Sequence, residues 1–434
     1  MVWVELAVVL VAIFLGARLG SVAIGMAGGL GVLALGVLGV PVKFADIPFD
    51  VIGIIMSVIA AISAMQMAGG LEWLVALADK LLRKKPNRVT LYAPLITYFM
   101  TLMAGTGHTA FSTLPVIAEV AKENKVRPSR PLSISVVSSQ VAITASPVSA
   151  ATVLMADLLE PKGVSYLQLL AVAIPSSLIA VVAVSFVAAR LGKPLEQDEE
   201  YQRRLAAGMI KHRGATDFEP PKGARASVLI FLAGIICVMA YATIISPSVG
   251  WIKDPWIPRT EGIMITMLAV ATVIVMVGRF EAAKVASTST FRSGMSASVC
   301  VLGVAWLGTT FVNHNEAAIM DLAGNVLASQ PWLLAVVLFF ASALLYSQAA
   351  TAKALVPTAI AMGVPTIGVV ASFAAVSGLF VLPTYPTLIA AVEMDETGST
   401  RIGRFVFNHP FMIPGVLTIA GAVALAFALG AVIL

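Results

Sequence analysis

Long apolar runs dominate this chain, and its polar positions fall in short blocks between them. Twelve apolar segments stand out: 2–17, 20–40, 50–70, 91–122, 132–157 and 166–189, then 226–246, 260–279, 294–312, 332–363, 366–392 and 410–434. Runs of this length read as helices in a bilayer, because an open strand edge cannot face lipid. The one long hydrophilic stretch, about 190–225, holds Gln197-Asp198-Glu199-Glu200 and Pro220-Pro221 and divides the segments six and six. Residues 1–17 have no basic leader block and read as a first helix rather than a cleaved signal. Composition agrees: 59% of residues are hydrophobic and 12% charged, against roughly 25% charged in a soluble domain.

The two halves read as repeats. Thr109-Ala110 with Pro115 matches Thr351-Ala352 with Pro357, and Val137-Ser138 with Pro147 matches Val376-Ser377 with Pro386. Segments 91–122 and 332–363 are unusually long and have polar, small-residue centres, Gly105-Thr106-Gly107-His108-Thr109 and Ser347-Gln348-Ala349-Ala350-Thr351. Each is expected to be a re-entrant hairpin whose tip stops inside the membrane, where irregular backbone survives only against protein or a cavity. Each half then has five crossings plus one hairpin, and the odd number inverts the second half.

The basic residues support that topology. With 190–225 in the cytoplasm, 23 of the 28 Lys and Arg fall on its side, and Lys43, Lys162, Lys253 and Arg259 fall on the other. This asymmetry places both termini outside. The net charge of +5 therefore reflects cytoplasmic loops and not nucleic-acid binding. Lys353 belongs to neither side. It lies in the apolar run after Ser347-Gln348-Ala349-Ala350-Thr351-Ala352, and a charge at that depth costs about 2.5–3.5 kcal/mol on insertion scales, so it marks a function. A lone cation with few membrane-depth acids points to an anionic ligand.

The segment after each hairpin is expected to break as well, at Ile143-Thr144-Ala145-Ser146-Pro147-Val148-Ser149 and at Gly378–Thr387, where Pro383 and Pro386 lie three apart. Half-helix N-termini at such breaks offer free N–H groups and a positive dipole end, which suit carboxylates. The candidate substrate-binding set is Thr106, Gly107, His108 and Thr109 at the first tip, and Thr144, Ser146, Pro147 and Ser149 at the first break. Ser347, Gln348, Ala349, Thr351 and Lys353 follow at the second tip, with Gly378, Pro383, Thr384, Tyr385 and Thr387 at the second break. Small and hydroxyl residues also pack membrane helices together, so each alone has a packing explanation.

Other chemistry is weakly represented. Cys237 and Cys300 lack metal-ligand spacing and read as two buried thiols, and His314-Asn315-Glu316 is expected in an outside loop. No metal, other cofactor or catalytic residue is expected; no nucleophile–base pair supports the alternative of a membrane enzyme acting on a lipid-soluble substrate. Gly25 and Gly29 form a packing motif. The amphipathic run Leu71–Leu82, followed by the Lys80–Arg88 basic cluster, reads as an interfacial helix drawn to anionic lipid.

Eight stretches carry a family resemblance: IPFDVIGIIM (47–56), AAISAMQMAGGL (60–71), TLPVIAEVAKE (113–123), GVAWLG (303–308), SALLYSQAATAKAL (342–355), ASFAAVSGLF (371–380), LPTYPTL (382–388) and FVFNHPF (405–411). In these the chain resembles the Dcu family of bacterial anaerobic C4-dicarboxylate transporters along nearly its whole length. The resemblance implies exchange of fumarate, malate or aspartate for succinate across the inner membrane, with small dicarboxylate anions as partners. Proton- or sodium-coupled symport is the transport alternative. More distantly, the two hairpins each followed by a broken helix look like the ion-transporter superfamily of divalent-anion carriers. That likeness implies an all-α elevator and a homodimer. It assigns 1–189 as a first inverted repeat (scaffold 2–40, hairpin 91–122, broken helix 132–157), 190–225 as a linker, and 226–434 as the second repeat (scaffold 226–279, hairpin 332–363, broken helix 366–392).

Overall fold

A computed structural model of the protein describes residues 1–19, 22–47, 49–210, 221, 223–245, 251–252, 254–345, 347–383, 385–403 and 407–434. All regular structure among them is helical. Helices α1 (Val2–Leu19), α2 (Ala23–Val37) and α3 (Phe49–Met67) follow the first three apolar runs. Helix α4 (Gly70–Lys84) bends 71° away from α3. A helical pair follows, α5 (Val89–Ala104) and α6 (Ala110–Glu123), then α7 (Ser129–Val141) and α8 (Ala150–Leu159), and the long α9 (Tyr166–Ala188). The 190–225 stretch contains α10 (Glu199–Ala206).

Beyond it lie α11 (Ala224–Ile244) and α12 (Arg259–Gly278), and α13 (Ser289–Cys300) joined through a π-helical turn to α14 (Trp306–Ser329). The same succession of interrupted elements then recurs: α15 (Leu333–Leu345) and α16 (Gln348–Ala361), then α17 (Thr366–Ser372), a 3-10 stretch Phe373–Phe380 and α18 (Pro386–Met394), closed by α19 (Met412–Ile433).

Six helices among the described residues are long and apolar enough to cross a bilayer. Their outer faces carry exposed large apolar side chains such as Phe186, Ile236, Leu268, Met276 and Val416, which a lipid environment covers without cost. By contrast α5, α6, α15 and α16 have 13–16 residues each. At about 1.5 Å per residue they reach roughly 20–24 Å, short of the ~30 Å hydrocarbon core.

Close backbone approach joins α2 to the π turn. A Cβ on Gly303 would fall 1.8 Å from Gly25 O, and one on Gly28 would fall 2.4 Å from Gly303 C. Gly29 faces open space, so Gly25 and Gly28, rather than the Gly25–Gly29 pair, make the packing face.

Three further expectations need correction. Residues 313–329 continue α14 as helix instead of forming a loop. There the buried Glu5 accepts from Asn315 Nδ2 at 2.6 Å and the buried Asp46 from Asn313 Nδ2 at 2.9 Å, two buried acids that the apolar pattern did not suggest. Cys237 is exposed on α11 and only Cys300 is partly buried, because apolar sequence in a membrane helix does not distinguish a lipid-facing position from a core one.

The 190–225 stretch is more than a tether. Asp198, 4% exposed, pairs with Arg127 at 2.7 Å and Arg401 at 2.9 Å and caps α10 through Glu200 N and Tyr201 N. Burial raises the carboxyl's pKa, but hydrogen bonds from Arg401 and Arg127 outweigh it and hold the group at about 2. A depressed carboxylate contributes stability in full above its unfolded value and loses it as pH falls through the folded value. Docking of α10 should therefore be constant from about pH 4 to 8 and weaken towards pH 2. Amide exchange of 199–206 checks this; release between pH 5 and 7 would contradict it.

Candidate functional site

The first tip forms because Gly105 takes a left-handed conformation (φ +67°) at the end of α5, which ends the helix at little cost. Thr106 and a 3-10 turn, Gly107–Thr109, then lead into α6. The Thr109 hydroxyl donates to Thr106 O at 3.2 Å and lies 3.0 Å from the Thr101 hydroxyl. This tip sits against the break between α7 and α8. A Cβ on Gly105 would meet Val148 O at 3.0 Å, and one on Gly107 would meet Ile143 and Ser139 at 3.4–3.5 Å. The His108 side chain lies outside the described residues.

At the break, α7 tightens into a 3-10 turn, Ala142–Ala145, and Ser146–Ser149 is non-helical before α8. Ser149 caps α8, accepting from Thr152 N at 3.1 Å and donating to Ile143 O at 2.7 Å. Thr144 donates to Val141 O at 2.8 Å, Ser146 Oγ accepts from Val148 N, and Tyr166 donates to Pro147 O. Through these bonds Thr144, Ser146 and Ser149 hold the backbone interruption in shape.

The second half reaches the same place. Ser347 caps α16 by accepting from Ala350 N at 3.2 Å, and Thr351 donates to Ser347 O. Gln348 Nε2 donates to Gln140 O at 3.2 Å, and Ser377 Oγ donates to the same carbonyl at 3.1 Å. Ser377 and Gly378 carry the non-helical angles of the second break. Gly378 N donates to Ser342 Oγ at 3.0 Å, which ties that break to α15, and a Cβ there would meet Phe339 O at 2.6 Å. The buried Ala349 packs in the core. Both tips and both breaks therefore adjoin the 139–149 segment.

Pro383 and Tyr385 precede α18, and Tyr385 packs against the apolar cluster of α1, α2 and α14. Thr384 lies outside the described residues. Thr387 is buried, and its hydroxyl has no partner among the described residues. Lys353 is not a lone cation. Its Nζ donates to Asp50 Oδ2 at 3.1 Å, with the side chains 29% and 42% exposed.

The sequence reading missed Asp50, Ser139, Ser342, Ser377 and above all Gln140. Gln140 is 1% exposed, and neither its Nε2 nor its Oε1 has a partner among the described residues. A buried amide without partners costs roughly 1–3 kcal/mol, which argues for a ligand-directed group. Its signal was available: a lone amide after Ser138-Ser139, just ahead of the expected break. No group of three or more His, Cys, Asp or Glu side chains able to hold a metal occurs among the described residues.

Helical pairs set against interrupted helices, with helix ends and a spare amide gathered inside an apolar shell, define a membrane transporter. The family model for the anaerobic C4-dicarboxylate membrane transporters matches residues 1–434, and the chain belongs to that family. It is 60% identical over 430 residues to the C4-dicarboxylate transporter DcuA of Wolinella succinogenes, covering 99% of both chains. It is 57% identical over 435 residues to DcuA of Escherichia coli, covering 100% of both, and 35% identical to an Escherichia coli anaerobic C4-dicarboxylate transporter DcuB, covering 96% of both. The crystal structure of the Alcanivorax borkumensis YdaH transporter, at 13% identity, shares the fold with a TM-score of 0.55 over 88% of this chain and 86% of that one. The protein is a multi-pass membrane transporter and not an enzyme.

Proposed function

We propose that the chain exchanges C4-dicarboxylates across the bacterial inner membrane, taking fumarate, malate or aspartate inward against succinate outward. The observation that carries this reading is the convergence on residues 139–149: the tips ahead of α6 and α16, the start of α8 and the unspent Gln140 amide lie together. Positive helix ends gathered at one segment suit a dianion with a carboxylate at each end. One carboxylate meets N–H groups of the first tip and of α8, where Ser149 occupies only one donor. The other meets the start of α16 and the second break, and the Lys353–Asp50 pair sets the field beside α16.

The short pairs α5–α6 and α15–α16 serve as re-entrant hairpins, and the two halves as inverted repeats around the site. Both hairpins and both broken helices move together as one elevator body against a scaffold of α1, α2, α11 and α12 in a homodimer. An empty site keeps unneutralised positive potential at membrane depth, so the loaded carrier crosses and the empty one does not. That makes exchange obligatory.

Labelled fumarate uptake into proteoliposomes without ion gradients tests this. Uptake is expected only into vesicles preloaded with succinate. Equal uptake into empty vesicles would mean uniport or a channel, and uptake that appears only under an imposed Na+ or H+ gradient would mean symport.

A further inference from the structure

A second polar site lies away from the 139–149 segment, at the end of the molecule that carries α10. A cavity of about 400 Å³ opens there between the start of α7, the residues after α9, and residues 399–403 and 408–413. Arg127, Arg130, Arg401, Ser129, Asn408 and His409 line it, with Leu191, Pro410 and Ile413 at its apolar side.

Its charge is unbalanced. Asp198 answers both Arg127 and Arg401. Arg130 donates only to carbonyls among the described residues, Leu191 O at 2.8 Å and Gly192 O at 3.0 Å. No acidic side chain is among the described lining residues. His409 is 7% exposed, its Nε2 lies 3.3 Å from Val381 O, and its Nδ1 is buried without a partner among the described residues. With Nε2–H facing that carbonyl, Nδ1 is an acceptor and takes no part in holding an oxyanion, which falls to the three guanidinium groups. Planar guanidinium forks recognise oxyanions, phosphate above all.

Place then selects the source. The cavity lies at the ends of the membrane helices α9 and α19, and Ile413, 53% exposed, begins the apolar face that continues through Val416 and Leu417 of α19. A phosphate held among the arginines would leave acyl chains lying along that face. Basic pockets at this level of a membrane protein suit anionic headgroups.

We propose that this cavity binds a phosphate group, presented at the membrane edge by an anionic phospholipid. Nothing in the exchange reading is needed for it. The test uses the full chain purified in neutral detergent. Binding of phosphatidylglycerol, phosphatidylcholine, inorganic phosphate and succinate is measured by native mass spectrometry and thermal midpoint. Arg130→Gln removes one fork together with its loop contacts. Asn408→Asp, at an exposed position, adds a negative charge without disturbing the core.

Phosphatidylglycerol should bind saturably, and both variants should weaken it at least tenfold while phosphatidylcholine binds no better than to the variants. Competition by millimolar inorganic phosphate, lost in the same variants, would keep the phosphate site and assign it to a soluble source. Equal phosphatidylglycerol binding by wild type and Asn408→Asp would overturn the proposal. So would succinate competing where phosphate does not.

Discussion

Gln140→Leu is expected to raise the Km for every transported dicarboxylate by about ten- to a hundredfold without lowering the thermal midpoint. Hydrogen bonds to a charged partner contribute roughly 1.5–3 kcal/mol, and each 1.4 kcal/mol is about tenfold in affinity. The Gln140 side chain is 1% exposed and makes no hydrogen bond among the described residues. Leucine, similar in size, therefore removes a desolvation cost and gives up no internal contact. The contacts that organise the site run through the Gln140 carbonyl, which the substitution retains. Stability that stays level or rises while exchange collapses marks a ligand-directed amide. Reduced stability with unaltered Km would make Gln140 a packing residue.

The second large effect concerns Lys353. Lys353→Ala should raise Km for all dicarboxylates at least tenfold, because it removes a full positive charge beside α16. The 3.1 Å contact with Asp50 makes the single substitution ambiguous, since it also leaves a carboxylate uncompensated. Asp50→Asn combined with Lys353→Ala resolves the ambiguity. If the lysine acts only to neutralise Asp50, the double variant regains transport. If it sets the field for the substrate, the double variant stays as defective as Lys353→Ala. Both groups are partly exposed, so the lost pair itself contributes little, and salt should change the outcome only slightly.

Much of this architecture was legible because a bilayer simplifies the code. An apolar run of sufficient length has one stable form there, so each of the twelve runs is helical over most of its described residues, and Gly105 and the prolines near 147 and 383–386 marked the interruptions. Function within the hydroxyl-rich clusters was less legible, for a physical reason. Thr144, Ser149 and Thr351 are the side chains a broken helix needs to satisfy its own carbonyls and caps, and the structure spends them there. Residue type alone cannot separate a cap from a ligand. Lys353 was recognised as unusual, but its partner lies 303 positions away in sequence, beyond any local pattern. Helix α10 was hidden inside a polar stretch whose ordering depends on Arg127 and Arg401, both far from it in sequence.

The shared Gln140 carbonyl also constrains biosynthesis. Its donors, Gln348 and Ser377, are 208 and 237 residues downstream. At about 5–20 residues per second, the ribosome needs roughly ten to forty seconds to make the first of them. Through that interval α7 is already made, and an acceptor at its broken end lacks the partners it has in the finished protein. Until the second half arrives, this carbonyl has only its local donor, the N–H of Ala142. A stalled or truncated chain would be a marked substrate for membrane quality control.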